Sequence, residues 1–335
     1  MIELKDIITT GLGVVKSKLG YKIPLKITQY LTYKCNLKCG FCGRRLNKSE
    51  EMTTSEIKKS IREFRKLGTK FWSFNGGEPL LKKDIRQLIE YVKKQGMKCS
   101  IVTNSWLLPE KIKEIKNIDM VIISMDGPEE IHDKERGKGS YKRVIESLEL
   151  LKKNNVRVMI NTVITKYNIE YLENILNIVD KYDCEWELQP VSCHRADEEK
   201  NASEFFPEKS EMKKAVNWIK KKKKKGFKIA NSNEYLDQMT NPISEKPACW
   251  AGRVTFVISP DGKVLPCAEF LAESNRFKSF LVSGARKAID QIPNMKDCRD
   301  CSFSCYMEYN IALDSLPKTS FKLAKNIIKK RWFWQ

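Results

Sequence analysis

The sequence predicts an α/β fold, a partial (β/α)6 parallel barrel followed by a small C-terminal cysteine-rich domain. Three observations carry that expectation. A strand-then-helix rhythm repeats six times between Leu25 and Pro190, it stops abruptly there, and a turn-rich, cysteine-bearing stretch begins at Cys249. Strands alternating with helices imply a parallel sheet with helices packed against it. Six units are too few to close the usual eight-unit barrel, so the sheet is expected to curve but stay partly open. In such sheets the chemistry sits at the carboxyl ends of the strands.

Residues 1–24 come first, where Leu4, Ile7, Ile8, Leu12, Val15 and Leu19 recur at helical spacing. The strands of the barrel (25–190) are the apolar, partly β-branched runs Leu25–Leu31, Lys70–Asn75, Lys98–Thr103, Met120–Ser124, Arg157–Val163 and Cys184–Pro190. Between them Thr54–Leu67, Lys82–Gln95, Pro109–Ile115, Tyr141–Asn154 and Tyr171–Tyr182 have helical spacing, and Thr53-Thr54-Ser55-Glu56 is a capping-box start. Residues 191–248 form a charged helical linker; its run Lys220–Lys225 reads as the solvated end of a helix broken at Gly226. In the second domain (249–309), Ser259-Pro260-Asp261-Gly262 signals a hairpin. Residues 310–335 read as a basic amphipathic helix, with Phe321, Ala324, Ile327, Ile328 and Arg331 at helical intervals, lysines beside them, and Trp332, Phe333 and Trp334 beyond.

Composition excludes several classes. With 41% apolar and 10% aromatic residues the 335-residue chain can bury a core, which rules out disorder. No window approaches the ~18 uninterrupted apolar residues of a membrane span. The first 20 residues contain Asp6 and no continuous apolar run, so no secretory signal is expected and a cytoplasmic location is. A formal charge of +20 suits an anionic partner, a lipid surface or a phosphorylated substrate, while no aromatic-interleaved recognition motif supports nucleic acid. Eleven cysteines, eight of them grouped, favour metal ligation over disulfides in a reducing compartment.

The first group is C-x3-C-x2-C, Cys35, Cys39 and Cys42, directly after the first strand. A four-iron cluster usually takes four thiolates, so three would leave one iron open to a small molecule. A zinc knuckle with a distant fourth ligand, or unligated thiols, would also fit the spacing alone. After the second strand, Asn75-Gly76-Gly77-Glu78-Pro79 pairs two glycines with a carboxylate. The glycines allow close backbone approach and Glu78 can accept from an ammonium group.

Together these loops resemble the radical S-adenosylmethionine (SAM) superfamily. Cys35, Cys39, Phe41 and Cys42 match its cysteine loop, and Gly76–Pro79 match its Gly-Gly-Glu-Pro motif. Thr103-Asn104 resembles the family's Thr-Asn-Gly, with Ser105 in place of the glycine. Ser124-Met125-Asp126-Gly127, His132-Asp133, Arg136-Gly137, Asn161-Thr162 and Gln189-Pro190 follow in order. The resemblance implies a [4Fe–4S] cluster on the three cysteines, with SAM bound at its open iron. Reductive cleavage would give a 5′-deoxyadenosyl radical that takes hydrogen from the substrate, the cofactor supplying the hard step. It also implies a SAM site at Gly76, Gly77, Glu78, Pro79, Thr103, Asn104, Ser124, Asp126 and Asn161, with Phe41 beside the cluster. An electron donor such as flavodoxin or ferredoxin is implied too.

Cys249, Gly262, Cys267 and Cys298-x2-Cys301-x3-Cys305 resemble the SPASM/twitch extensions of these enzymes, which carry auxiliary iron–sulfur clusters. A full SPASM pattern holds two clusters, whereas five thiols suit one [4Fe–4S] cluster with one to spare. Which four bind stays open, as does a structural zinc ribbon. Cys99 and Cys184 read as core residues. Cys193 is expected near the barrel mouth and His194 on the surface. No carboxylate pair or His/Ser arrangement reads as an acid–base apparatus.

The expected function is therefore radical SAM chemistry. The tryptophan-ended basic segment points to a lipid or lipid-linked sugar substrate and a peripheral contact with the cytoplasmic membrane face; ordinary packing of both ends on the barrel is the plain alternative. Maturation of a ribosomal peptide is the other reading. It is weakened by only 24 residues ahead of the first strand, fewer than a leader-binding domain needs. A non-enzymatic iron–sulfur module would require four protein ligands at every metal.

Overall fold

The computed structural model describes residues 4–192, 202–240, 247–299, 301 and 303–314, with the side chains of 4–9, 202–203 and 314 outside that description. The segment 315–335, together with Cys193 and His194, also lies outside the described residues.

Helix α1 (Leu4–Lys18) precedes the barrel. The six parallel strands are β1 (Lys26–Tyr30), β2 (Phe71–Asn75), β3 (Lys98–Thr103), β4 (Met120–Ser124), β5 (Val158–Ile164) and β6 (Glu185–Pro190). They pair in sequence order. Between them run α2 (Thr54–Lys66), α3 (Ile85–Lys94), α4 (Leu108–Ile115), α5 (Glu129–Arg136), α6 (Ser140–Lys153) and α7 (Leu172–Lys181). The expected capping box opens α2: Thr53 accepts from the Glu56 N–H, and Glu56 from the Thr53 N–H. Helix α5 had no counterpart in the sequence pattern; Glu129–Arg136 carries one apolar residue, Ile131, so it has no hydrophobic periodicity to show.

Strand alternation divides the barrel into two environments. Ile27, Trp72, Phe74, Cys99, Ile101, Val121, Ile123, Ile160, Trp186 and Leu188 join the helices in one apolar core. The other row, including Thr28, Ser73, Ser124, Asn161, Glu187 and Gln189, lines a cavity. Residues of β1 and β6 share that cavity although the two strands are not paired, which makes the barrel curved and partly open.

Past the barrel come α8 (Lys209–Lys224) and α9 (Asn233–Gln238). Helix α8 ends in the lysine run, and Gly226 at φ +97° breaks it as expected. The C-terminal region then adds β7 (Thr255–Ile258) and β8 (Val264–Leu265), joined through a turn with Gly262 at φ +81°. Strand β7 pairs in parallel with β1, so the sheet runs β6-β5-β4-β3-β2-β1-β7-β8. The cysteine-rich region thus grows from the barrel's own sheet instead of standing apart from it. Helices α10 (Phe280–Ser283), α11 (Ala285–Asp290) and α12 (Ser304–Asp314) complete it. Helix α12 packs on β6, and its Tyr309 ring lies against the buried Lys26 ammonium of β1 at 5.7 Å. It therefore sits between β1 and β6, the first and last strands of the barrel, which do not pair with each other. Among the described residues no helix is long and apolar enough to cross a membrane.

Candidate active site

The cavity opens at the carboxyl ends of the strands and is lined by Cys35, Cys39 and Cys42. Their loop is tied by the Cys42 N–H to the Cys39 carbonyl at 3.1 Å, and by the Leu37 N–H to the Cys35 sulfur at 3.5 Å. Burial pushes the Cys39 thiol up to about 12 and raises Cys35 as well, while the Arg136 guanidinium pulls Cys39 the other way. Ligation of iron would have to displace those protons. Among the described residues no three Cys, His, Asp or Glu side chains converge to the spacing of a single ion.

Two cations line the same cavity. Arg136 stands 5.3 Å from the Phe41 ring centre, and Arg44 5.9 Å from that of Tyr30. Arg44 is 7% exposed, and its Nε and Nη2 have no hydrogen-bond partner, with Glu269 4.0 Å away. An anionic group among the three thiols would meet both charges in a low-dielectric setting. The sequence reading did not single out Arg44; its signal is a cation two residues past the last cysteine of the loop.

Gly76 and Gly77 line the cavity, but their smallness serves a neighbour too. A Cβ at Gly77 would lie 2.2 Å from the Lys34 carbonyl oxygen, and one at Gly76 2.7 Å from that of Thr32. The loop after β2 presses directly on the cysteine loop, held by Gly77 N–H to Thr32 O at 2.8 Å and Glu78 N–H to Lys34 O at 2.9 Å. Glu78 is fully buried. Its carboxylate accepts from the Leu80 N–H (3.0 Å), the Thr103 hydroxyl (2.8 Å) and the Asn104 N–H (2.8 Å). It thus latches the loops after β2 and β3 together, and burial lifts its pKa to about 7. Pro79 starts the short turn beside it.

Asp126 plays a matching part after β4. It accepts from the Val163 N–H at 2.9 Å and from Arg136 Nε at 2.5 Å, aiming that guanidinium into the cavity. His132 Nδ1 accepts from the Asp126 N–H at 3.1 Å. Thr103 is likewise buried in the latch, and only Asn104 of that pair reaches the cavity, donating to Asn36 Oδ1 at 3.0 Å. Ser124 and Asn161 sit opposite each other in the β4–β5 ladder and both line the cavity. The Asn161 Oδ1 is buried without a hydrogen-bond partner, an acceptor waiting for a donor. A nucleoside with hydroxyl and amino donors fits that chemistry. SAM is therefore compatible with the cavity, with Gly76, Gly77, Asn104, Ser124, Asn161 and Phe41 at its wall and Glu78, Thr103 and Asp126 behind it.

The opposite wall comes from α12 and β6. Phe303, Ser304, Cys305 and Tyr306 line the cavity with Glu187 and Gln189. The Ser304 hydroxyl donates to Glu187, which burial pushes up to about 7. Glu187 was not anticipated, whereas Gln189 belongs to the family-like Gln189-Pro190 pair; the polar residue at every second position of Glu185-Trp186-Glu187-Leu188-Gln189 is the signal for Glu187. The remaining cysteines form a separate thiol cluster with Phe303 and Tyr306 at its apolar side. The Cys249 thiol donates to Cys298, which together with burial raises it, and burial pushes Cys267 up to about 12. Cys305 belongs to both surroundings, whereas Cys249, Cys267, Cys298 and Cys301 do not reach the cavity. Cys99 and Cys184 are buried in the core as expected.

Residues 30–179 match the Radical SAM superfamily. The chain is 27% identical over 258 residues to the PqqA peptide cyclase of Bradyrhizobium diazoefficiens, covering 74% of this chain and 67% of that one. It is 30% identical over 158 residues to the Fe-coproporphyrin III synthase of Methanosarcina barkeri, covering 45% and 40%. Among solved structures, anSMEcpe with bound AdoMet and the Cp18Cys peptide superposes with a TM-score of 0.64 at 20% identity, over 92% of this chain and 98% of that one. SuiB of Streptococcus suis bound to the precursor peptide SuiA gives 0.63 at 17% identity, over 78% of this chain and 64% of that one. The chain thus spans under two thirds of SuiB, and at these identities the likeness is one of fold.

Proposed function

Starting from the premise that this chain is a radical SAM enzyme, we propose that it modifies a peptide. The supporting observation is the similarity to a peptide cyclase across most of the chain, joined to a fold shared with two proteins solved with bound peptides. It favours the peptide reading over the lipid or lipid-linked sugar that the sequence had suggested. We infer that Cys35, Cys39 and Cys42 hold the [4Fe–4S] cluster at which SAM binds. When bound and reduced, that pair supplies a 5′-deoxyadenosyl radical able to take a hydrogen atom from an unactivated carbon.

The chain's own residues do the positioning. The Gly76–Gly77 backbone, Ser124 and the open Asn161 acceptor orient SAM, and Phe41 shields its adenine side. Arg44 and Arg136 offset the negative charge of the thiolate-bound cluster. We assign the auxiliary cluster to Cys249, Cys267, Cys298 and Cys301, which leaves Cys305 with Ser304 and Glu187 on the cavity wall where a substrate would lie. The barrel (25–190) and the cysteine-rich region (249–309) are then the two working units. An external one-electron donor of flavodoxin or ferredoxin type completes the scheme.

The test is anaerobic reconstitution, reduction and addition of SAM, with 5′-deoxyadenosine quantified for the native chain and Cys35→Ala. Peptides from short reading frames beside the gene are then added, and mass spectra are searched for loss of two hydrogen atoms per crosslink. SAM cleavage with modified lipid extracts and unmodified peptides would overturn the substrate assignment.

A further inference from the structure

We propose that the outer face of α1 is a docking surface for an anionic membrane. The helix turns its small residues inward: Thr10, Val14 and Ser17 are buried, and a Cβ at Gly13 would lie 2.6 Å from the Leu25 side chain. The large apolar residues point the other way. Leu12 and Val15 are each 56% exposed and Leu19 is 72% exposed. At 3.6 residues per turn these three fall in one row. Lys16 occupies the row along one edge and Lys18 the row along the other.

An apolar row bordered by lysines is the arrangement of a helix lying in a lipid interface, with apolar side chains entering the acyl boundary and ammonium groups at the headgroups. A neighbouring segment adds charge of the same sign. Helix α12 ends against α1, where Tyr309, Ala312 and Leu313 share one cluster with Val14, Leu25 and Trp250. The chain therefore leaves Asp314 beside this helix. The 21 residues that follow carry five lysines and one arginine, no Asp or Glu, and the aromatic residues Phe321, Trp332, Phe333 and Trp334. Basic and aromatic residues together in that sequence suit anionic lipid, whereas an acidic protein surface would leave the exposed leucines in water. The surface is remote from the cysteine loops in sequence and needs neither cluster, so it stands apart from the proposed chemistry.

The full chain is mixed with vesicles of phosphatidylcholine alone or with phosphatidylglycerol and floated on a density gradient. Binding is expected only with phosphatidylglycerol, falling as salt rises from about 0.1 M to 0.5 M. The variant Leu12→Glu/Val15→Glu/Leu19→Glu should bind at least about tenfold more weakly. Because all three side chains are exposed, its melting temperature should match the native chain. No flotation of the native chain overturns the proposal, as does undiminished binding by the triple variant. Sedimentation velocity supplies a further arm: a native dimer that the triple variant dissolves would show that a second copy covers this face, and would overturn the membrane assignment.

Discussion

The two cysteine groups of this molecule sit in opposite structural situations. Around Cys35, Cys39 and Cys42 the protein is already built. The loops after β1, β2 and β3 are tied by Gly77 N–H to Thr32 O, Glu78 N–H to Lys34 O and the three donors on the Glu78 carboxylate. Around Cys249, Cys267, Cys298 and Cys301 there is little regular structure. The thiols themselves, with Ala251, Phe303 and Tyr306, make up the core. A cluster in the first place would be a guest in a finished site, and in the second it would be part of the packing. Small regions of that second kind draw their folding free energy from metal.

The largest effect should follow from that contrast. Cys298→Ser is expected to weaken the thiol-bearing segments 247–251 and 295–299 by more than ~5 kcal/mol, since a structural metal site contributes about 10 kcal/mol or more. Cys39→Ser should cost the barrel only ~1 kcal/mol, the scale of an ordinary buried substitution. Hydrogen exchange on the anaerobically reconstituted protein measures both regions at once. Equal loss of protection in the two variants would break the distinction.

The barrel side should instead show acid sensitivity, because its helix α5 holds a buried neutral histidine. Burial first, and Arg136 second, hold His132 down at about 4. A folded pKa below the unfolded value of about 6.5 means that the unfolded chain binds more protons between the two. The stabilisation is present above about pH 6.5 and is lost as pH falls towards 4, by about 3 kcal/mol in total. His132→Gln keeps an acceptor for the Asp126 N–H and should flatten that part of the profile. Urea denaturation at several pH values compares the slopes; identical slopes would remove His132 as the cause.

Next comes Glu78→Gln, expected to cost about 2 kcal/mol. An amide turns donor hydrogens towards groups that are themselves donors, leaving buried partners unpaired. If Glu78 works as a latch, thermal stability and SAM affinity fall together, because Gly76 and Gly77 lose their anchor. Loss of SAM affinity at unchanged melting temperature would place the carboxylate on the ammonium of SAM, the role the sequence suggested.

Much of the barrel was legible because its code is local. The ends of all six strands differ by at most one residue from the apolar runs, and Thr53 and Glu56 form the cap their spacing announces. What escaped depends on partners distant in sequence. Nothing in Thr255–Ile258 says that it pairs with Lys26–Gln29. The spacing of Leu12, Val15 and Leu19 marks an apolar face, but the close approach at Gly13 decides that this face turns outward. Likewise the Gly-Gly-Glu-Pro turn reads as a ligand loop, while its steric need comes from the Tyr33 and Lys34 carbonyls more than 40 residues earlier. Glu187 was readable in the alternation of β6; what hid it was the absence of any motif.

Ser105 carries the smallest effect and the sharpest test of the finished-site idea. It stands where the resembling family has glycine, and the turn survives the substitution: φ is +68°, in the left-handed region. An L-residue there costs roughly 1 kcal/mol relative to glycine. Its hydroxyl is also buried without a hydrogen-bond partner, a second unfavourable contribution. The bonds that hold the turn are made by other groups, namely Ser105 N–H to Thr103 Oγ1 at 3.0 Å and the Ser147 hydroxyl to the Ser105 carbonyl at 3.2 Å. Ser105→Gly keeps both while removing strain and the stranded hydroxyl. The lost methylene and the greater freedom of the unfolded chain offset part of the gain. The expected result is a stabilisation of up to about 1 kcal/mol, read by urea denaturation, with unchanged SAM affinity. A destabilised variant would mean that the Ser105 side chain holds the loop after β3, and that the barrel site is less complete without its ligands than the Glu78 latch implies.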